Sequence, residues 1–182
     1  MTGKVRWLAL GYNVPINPSK NRVYIWRKLK ECGAEYFKQG VAVLPYSKRN
    51  YNYFMSLLSK INNDMGGEAS IIEIKFLDPT DEKDMISRFK NQYVNDITSI
   101  KNDCAKLLTE IKGQAETMIS DYESEQLKKM VKSFSKARSR DYFESGISDE
   151  IEASIYTIID TMKPNKEQLK KQLKKYLEIE EK

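Results

Sequence analysis

PSKNRVYIWRKLKECGAEYFKQGVAVLP, residues 18–45, reads as one helix followed by a tight hairpin. Ser19 offers an N-cap and Gly33 a stop. At about 100° per residue, Ile25, Trp26, Leu29 and Cys32 share one face. Arg22 falls in the middle of that face, one turn nearer the N-terminus. An arginine aimed at a core needs a carboxylate, a carbonyl or an anion, because an unpaired buried charge is expensive. The expectation is therefore a buried Arg22 paired with a carboxylate of the later helical half, Asp141 first. An anion site is the alternative, since a helix N-terminus also favours anions. Lys20, Arg27 and Lys30 point outward.

Working outward, Lys4 to Tyr12 alternates and is rich in large apolar residues, which is a buried strand pattern. Asn13 to Ser19, with two prolines, is a loop. Ala34–Phe37 and Val41–Tyr46 read as strands joined at Lys38-Gln39-Gly40, where glycine supplies a positive φ. Tyr51, Phe54, Met55, Leu58, Ile61 and Met65 recur at helical spacing, and Gly66-Gly67 ends that helix. Ala69–Leu77 is a further strand, with Ile72, Ile74 and Phe76 on one side. The order β-α-β-β-α-β is the ferredoxin-like pattern, an antiparallel sheet with both helices on one face.

Asp78-Pro79-Thr80 marks a boundary, and Thr80 or Asp81 can cap a new helix. Ile86, Phe89, Tyr93, Ile97, Ile100, Cys104, Leu107 and Ile111 then follow steps of three or four, a near-heptad seam. A second seam runs through Ile119, Tyr122, Leu127, Met130, Phe134 and Ala137. Two such stripes close in sequence suit an antiparallel hairpin turning between Gly113 and Glu125, with a dimeric coiled coil as the other solution. Ser148 can cap a helix carrying Ile151, Ile155, Ile158 and Ile159, which Pro164 ends. Asn165 and Gln168 start a last helix with Leu169, Leu173, Tyr176 and Leu177. The fold class expected is α+β: a ferredoxin-like basic domain over residues 1–78, and an all-helical extension over 79–182 packed on it, a long helical hairpin followed by C-terminal helices.

The 182 residues include no histidine, which removes the commonest general base and the commonest zinc ligand. The two cysteines, Cys32 and Cys104, lie on apolar faces and read as buried thiols. No apolar run approaches the ~20 residues of a membrane-spanning helix, and the N-terminus lacks a signal-peptide pattern. A cytoplasmic protein without membrane contact is expected. Residues 1–78 carry 12 Lys+Arg against 6 Asp+Glu, whereas residues 79–182 carry 19 against 20. A positive field confined to one half suggests an anionic partner there, nucleic acid first. Lys20, Arg27, Lys28 and Lys30, with Lys48 and Arg49 at the start of the second helix, form the candidate phosphate-binding set. Tyr12, Tyr24, Tyr46 and Tyr51 are nearby in sequence and can stack on bases, although Tyr51 suits the helix–sheet interface better. Arg138, Arg140 and Asp141 form a second charged cluster, a structural lock or an anion site.

The order of these elements resembles a known family. Pro15, Pro18-Ser19, Asn21-Arg22-Val23, Trp26-Arg27-Lys28-Leu29, Gly33 and Gly40-Val41-x-Val43-Leu44-Pro45 are similar to the N-terminal domain of ChrB proteins. Gly66-Gly67-Glu68-Ala69 resembles the family's GGEA element. Phe89–Tyr93 and Ala137-Arg138-Ser139-Arg140-Asp141-Tyr142-Phe143 resemble its later elements. The resemblance implies a chromate-resistance context and a DNA-binding transcriptional regulator, with an oxyanion as candidate effector. Typical members carry a second, C-terminal domain, which is not expected in this sequence. No residues pair a nucleophile with an oriented base, so no catalytic residue, metal or cofactor is expected, and the chain reads as a non-enzyme. The competing reading is a protein-interaction module that docks a partner, or a second copy, through the helical seams.

Overall fold

The computed structural model describes residues 5–112, 120–161 and 166–178. The chain is α+β. Strand β1 (Trp7–Asn13) leads into helix α1 (Ser19–Glu31), strands β2 (Glu35–Lys38) and β3 (Val41–Pro45), helix α2 (Lys48–Asp64) and strand β4 (Glu68–Ile74). Helices α3 (Pro79–Lys112), α4 (Asp121–Arg138), α5 (Ser148–Thr161) and α6 (Glu167–Glu178) follow. The four strands form one antiparallel sheet in the order β2-β3-β1-β4. That is the order of the βαββαβ pattern, and among the described residues no strand follows β4.

Two compact units divide within α3, between Phe89 and Lys90. The first unit is organised by β1, where Trp7, Leu8, Ala9 and Leu10 are all buried. Alternate residues of a strand face opposite ways, so both faces of the sheet centre are covered. Trp7 is ringed by Phe76 and Phe89, with centroids 5.6 and 5.8 Å away. Its indole N–H donates to Glu82 Oε1 at 2.9 Å. The start of α3 thus closes one face with Met85 and Phe89, which is why it groups with the sheet beyond the boundary expected at Asp78. Leu8 and Leu10 are left to the apolar sides of α1 (Ile25, Leu29) and α2 (Phe54, Leu57, Ile61).

The helix ends have local causes. Pro18, not Ser19, occupies the N-cap position of α1, and no side chain caps it. At the other end Gly33 adopts φ +72°. Gly33 N–H donates to Lys30 O and Ala34 N–H to Leu29 O at 3.1 and 3.0 Å, a Schellman closure. Ser47 caps α2 by accepting from Asn50 N–H at 3.0 Å. For α3 the cap is Asp78 rather than Thr80 or Asp81. Its carboxylate accepts from Thr80 Oγ1 at 2.7 Å and from Thr80 N–H at 2.8 Å, which holds its pKa below the ordinary value. Pro79 then sits at the first helical position, where its missing N–H is harmless.

Gly66 and Gly67 turn the chain from α2 into β4. Gly66 has φ +61°. At Gly67 a Cβ would lie 2.5 Å from Asn13 O and 2.9 Å from Ile61 Cγ2. Asn62 then holds β4 in place, accepting from Ala69 N–H at 2.7 Å.

Several face assignments differ from the helical-wheel reading. On α2, Tyr51 and Met55 are exposed and Leu57 is buried instead. On α3, Met85 rather than Ile86 is the fully buried residue. Ile72 of β4 is exposed, and β4 stops at Ile74 rather than Leu77. Tyr122, placed on the second seam by spacing, is 72% exposed at the first turn of α4. A wheel gives direction, not how far the neighbouring element extends beneath it.

The second unit has its own core. Tyr93, Ile97, Ile100, Cys104 and Leu107 of α3 are buried in one cluster with Leu127, Met130, Phe134 and Ala137 of α4. Ile151, Ile155, Ile158 and Ile159 of α5 and Leu169, Leu173 and Leu177 of α6 complete it. The seam residues from Tyr93 to Leu107 and from Leu127 to Ala137 are therefore buried within this unit. Helix α4 begins with a capping box in which Ser120 Oγ accepts from Glu123 N–H and Glu123 accepts from Ser120 N–H. Most of the interval expected to hold the turn, residues 113–119, lies outside the described residues, as do Ile119, Pro164, Asn165 and the side chain of Ile111.

Cys104 is buried, and burial raises its thiol pKa, whereas Cys32 is partly exposed. Thiolate fraction and access both set alkylation rate. Thiol labelling of the folded protein is expected to modify Cys32 first, with Cys104 reacting only on unfolding. Equal rates for the two would contradict the core described above.

Candidate functional site

In the first unit, the end of β1, the N-terminal half of α1 and the β2–β3 hairpin enclose a groove of ≈ 1010 Å³. Val14, Ile16, Val23 and Trp26 give it apolar walls, while Arg22, Tyr12 and Tyr36 bring polar groups to it. The Tyr12 and Tyr36 hydroxyls are 3.2 Å apart and hydrogen-bonded. Burial, and then the bond to Tyr12, push the Tyr36 pKa well up, so this phenol stays neutral. Gly40, with φ +75°, lets the hairpin close on β1, where Tyr12 N–H donates to Gly40 O at 2.8 Å.

Arg22 lines this groove and is exposed, against the expectation of a buried, paired residue. It has no hydrogen-bond or ion-pair partner among the described residues. The wheel placed its direction correctly, on the Ile25–Leu29 side. At the first turn of α1, however, that side opens on the groove rather than on the core. Trp26, assigned to the core by spacing, is 50% exposed at the flank of the same face. Tyr36 was not singled out by sequence, and only the pairing of β2 with β3 and of β3 with β1 brings it beside Tyr12.

The basic set lies partly along α1. Lys20, Arg27 and Lys30 are exposed, as are Lys48 and Arg49 at the start of α2. Lys20 and Arg27, seven residues apart, fall on one stripe, and Lys30 lies ~15 Å along the axis from Lys20. Lys30 sits over the Trp26 ring at 5.4 Å. Lys28 differs. It is half-buried and donates to Glu31 at 2.8 Å, a bond that raises its pKa. Tyr24 is flanked by Lys28 and Lys60, 6.0 and 5.4 Å from its ring. Tyr46 and Tyr51 are exposed, and Arg6, which sequence reading passed over, stacks 4.1 Å above Tyr46 while pairing with Glu73 at 2.7 Å.

In the second unit, Arg138, Arg140 and Asp141 are internal ties. Arg138 pairs with Glu152 at 2.8 Å, donates to Leu177 O and lies over the Phe134 ring at 5.6 Å. It thereby joins α4 to α5 and α6. Arg140 pairs with Asp96 of α3 at 3.0 Å. Asp141 accepts from Ser145 N–H and Ser145 Oγ at 2.9 and 2.8 Å. The carboxylate proposed from sequence for Arg22 is thus spent on its own loop, and each arginine of this cluster already holds an acid.

Among the described residues no group of three or more Cys, Asp or Glu is placed to hold a metal ion. No described helix is long and apolar enough to cross a membrane. No curated protein and no solved structure matches the chain. Residues 22–176 match the family described as "Protein ChrB, N-terminal". That span begins at the groove arginine, takes in the hairpin and the Gly66-Gly67 turn, and runs through the Arg138–Asp141 ties into α6. The chain belongs to the ChrB N-terminal family and is a chromate-resistance-associated protein.

Proposed function

We propose that this chain is a non-enzymatic, cytoplasmic DNA-binding regulator of the ChrB type, contacting duplex phosphates through the outer surface of α1. The observation that carries this reading is the set Lys20, Arg27 and Lys30, all exposed and none holding an acidic partner among the described residues. Unpaired cations on a regular helix can each release a counterion from DNA. Lys48 adds a further exposed cation at the start of α2. Lys28, committed to Glu31, contributes less. Phosphate contacts of this type give affinity and register rather than sequence readout.

The test is gel retardation of duplex DNA by the parent and by a variant with Lys20, Arg27 and Lys30 all replaced by Glu. Among the described residues these exposed side chains make no hydrogen bond or ion pair, and the Lys30–Trp26 stacking is their one ring contact, so the variant should fold with an unchanged circular dichroism spectrum. Retardation by the parent and its loss in the variant is the expected result. Equal binding by both would place the DNA contact elsewhere.

A further inference from the structure

We propose that the groove between β1, α1 and the β2–β3 hairpin is a ligand site for a small aromatic anion, a flat ring carrying one carboxylate or phosphate group. Its lining shares no residue with the proposed DNA-binding set, although Lys20 lies on the same helix and Lys30 sits 5.4 Å from the ring of Trp26 at its edge.

The charge of the lining decides the sign of the ligand. Among the described residues Arg22 is the only charged one lining the groove, and it has no partner there. A guanidinium matches a carboxylate or phosphate in a two-point contact. The walls decide the rest. Val14, Ile16, Val23 and Trp26 are apolar, and Trp26 offers half of its surface to solvent. A bare inorganic oxyanion here would meet one cation and lose water against apolar walls, which is costly. A ring extends the same anion over the indole and gains stacking. The Tyr12–Tyr36 hydroxyl pair supplies a neutral donor and acceptor. A volume of ≈ 1010 Å³ is at the upper end of small-molecule sites.

Trp26 also reports on binding. The only other tryptophan, Trp7, is fully buried with its N–H on Glu82. Tryptophan fluorescence of the full chain is titrated with benzoate, with adenosine monophosphate and with inorganic phosphate. Saturable change with benzoate or with the nucleotide, weakened about tenfold or more in Arg22→Gln, supports the proposal. Whichever probe binds identifies the source of the anion. Arg22→Gln should leave the melting temperature unchanged, since the side chain is exposed and unpaired. Phosphate binding as tightly as either ring-bearing probe would overturn it. So would the absence of saturation by all three. If no probe binds but Arg22→Gln weakens duplex DNA, the groove is part of the DNA surface and the proposal fails while the regulator reading stands.

Discussion

Gly67→Ala is expected to destabilise the sheet unit by at least about 3 kcal/mol, near the top of the range for forced overpacking. The added methyl would lie 2.5 Å from Asn13 O, 2.9 Å from Ile61 Cγ2 and 3.3 Å from Val14 Cα. Two of these three atoms are backbone, and the third belongs to a fully buried side chain. None can swing aside as a flexible side chain would. Relief requires β1 to separate from the α2–β4 turn, where β1 pairs with β4 from Asn13↔Glu68 onward. For a unit of this size the loss corresponds to a melting temperature lower by about 12 °C or more. Gly11→Ala is the matched control. It lies in the same strand, and a Cβ there meets nothing within 4 Å. Thermal melts followed by circular dichroism should show a large drop for Gly67→Ala and little change for Gly11→Ala. Similar values for the two would contradict the close approach at Gly67.

Trp7→Ala should cost about 3–5 kcal/mol, the range for emptying a large aromatic site in a core. Trp7 is wholly buried, and its edge-to-face contact with Phe76 and tilted contact with Phe89 hold the segment after β4 and the start of α3 to β1. Removing it opens a cavity and also takes the indole donor from Glu82. Trp7→Phe separates these effects. It keeps an aromatic ring but not the N–H, so its loss should be smaller, about 1–2 kcal/mol from the missing hydrogen bond and the volume change. Urea unfolding monitored by circular dichroism gives both values. A loss below about 1 kcal/mol in Trp7→Ala would mean that α3 does not close this face of the sheet.

The architecture was legible because its signals are local. Gly33 and the Gly66-Gly67 pair mark helix ends by conformation, and period-two segments alternate with period-3.6 segments as far as Asp78. The strand order then follows from few alternatives. The glycines of the family's GGEA element proved to have two separate causes, a positive φ at Gly66 and a close approach at Gly67. Side-chain environments were less legible. Arg22 and Trp26 were assigned to a core by angle, but the first turns of α1 face a groove there. Nothing within α1 itself encodes where its neighbours stop. Arg138, Arg140 and Asp141 were recognisable as a charged cluster, yet their partners Glu152, Asp96 and Ser145 lie far enough along the chain, or are common enough, that only packing selects them. Asp78 reads from sequence as part of a boundary rather than as the cap, because Asp78, Thr80 and Asp81 are all capping residue types within four positions.

The salt dependence of duplex DNA binding by the full chain tests the regulator reading most directly. If Lys20, Arg27, Lys30 and Lys48 together neutralise about four phosphates, log affinity plotted against log salt concentration should fall with a slope of about −3.6. The Glu-substituted variant at Lys20, Arg27 and Lys30 should bind too weakly to give a slope. A slope near zero for the parent, or one unchanged in the variant, would contradict a DNA-binding role for α1.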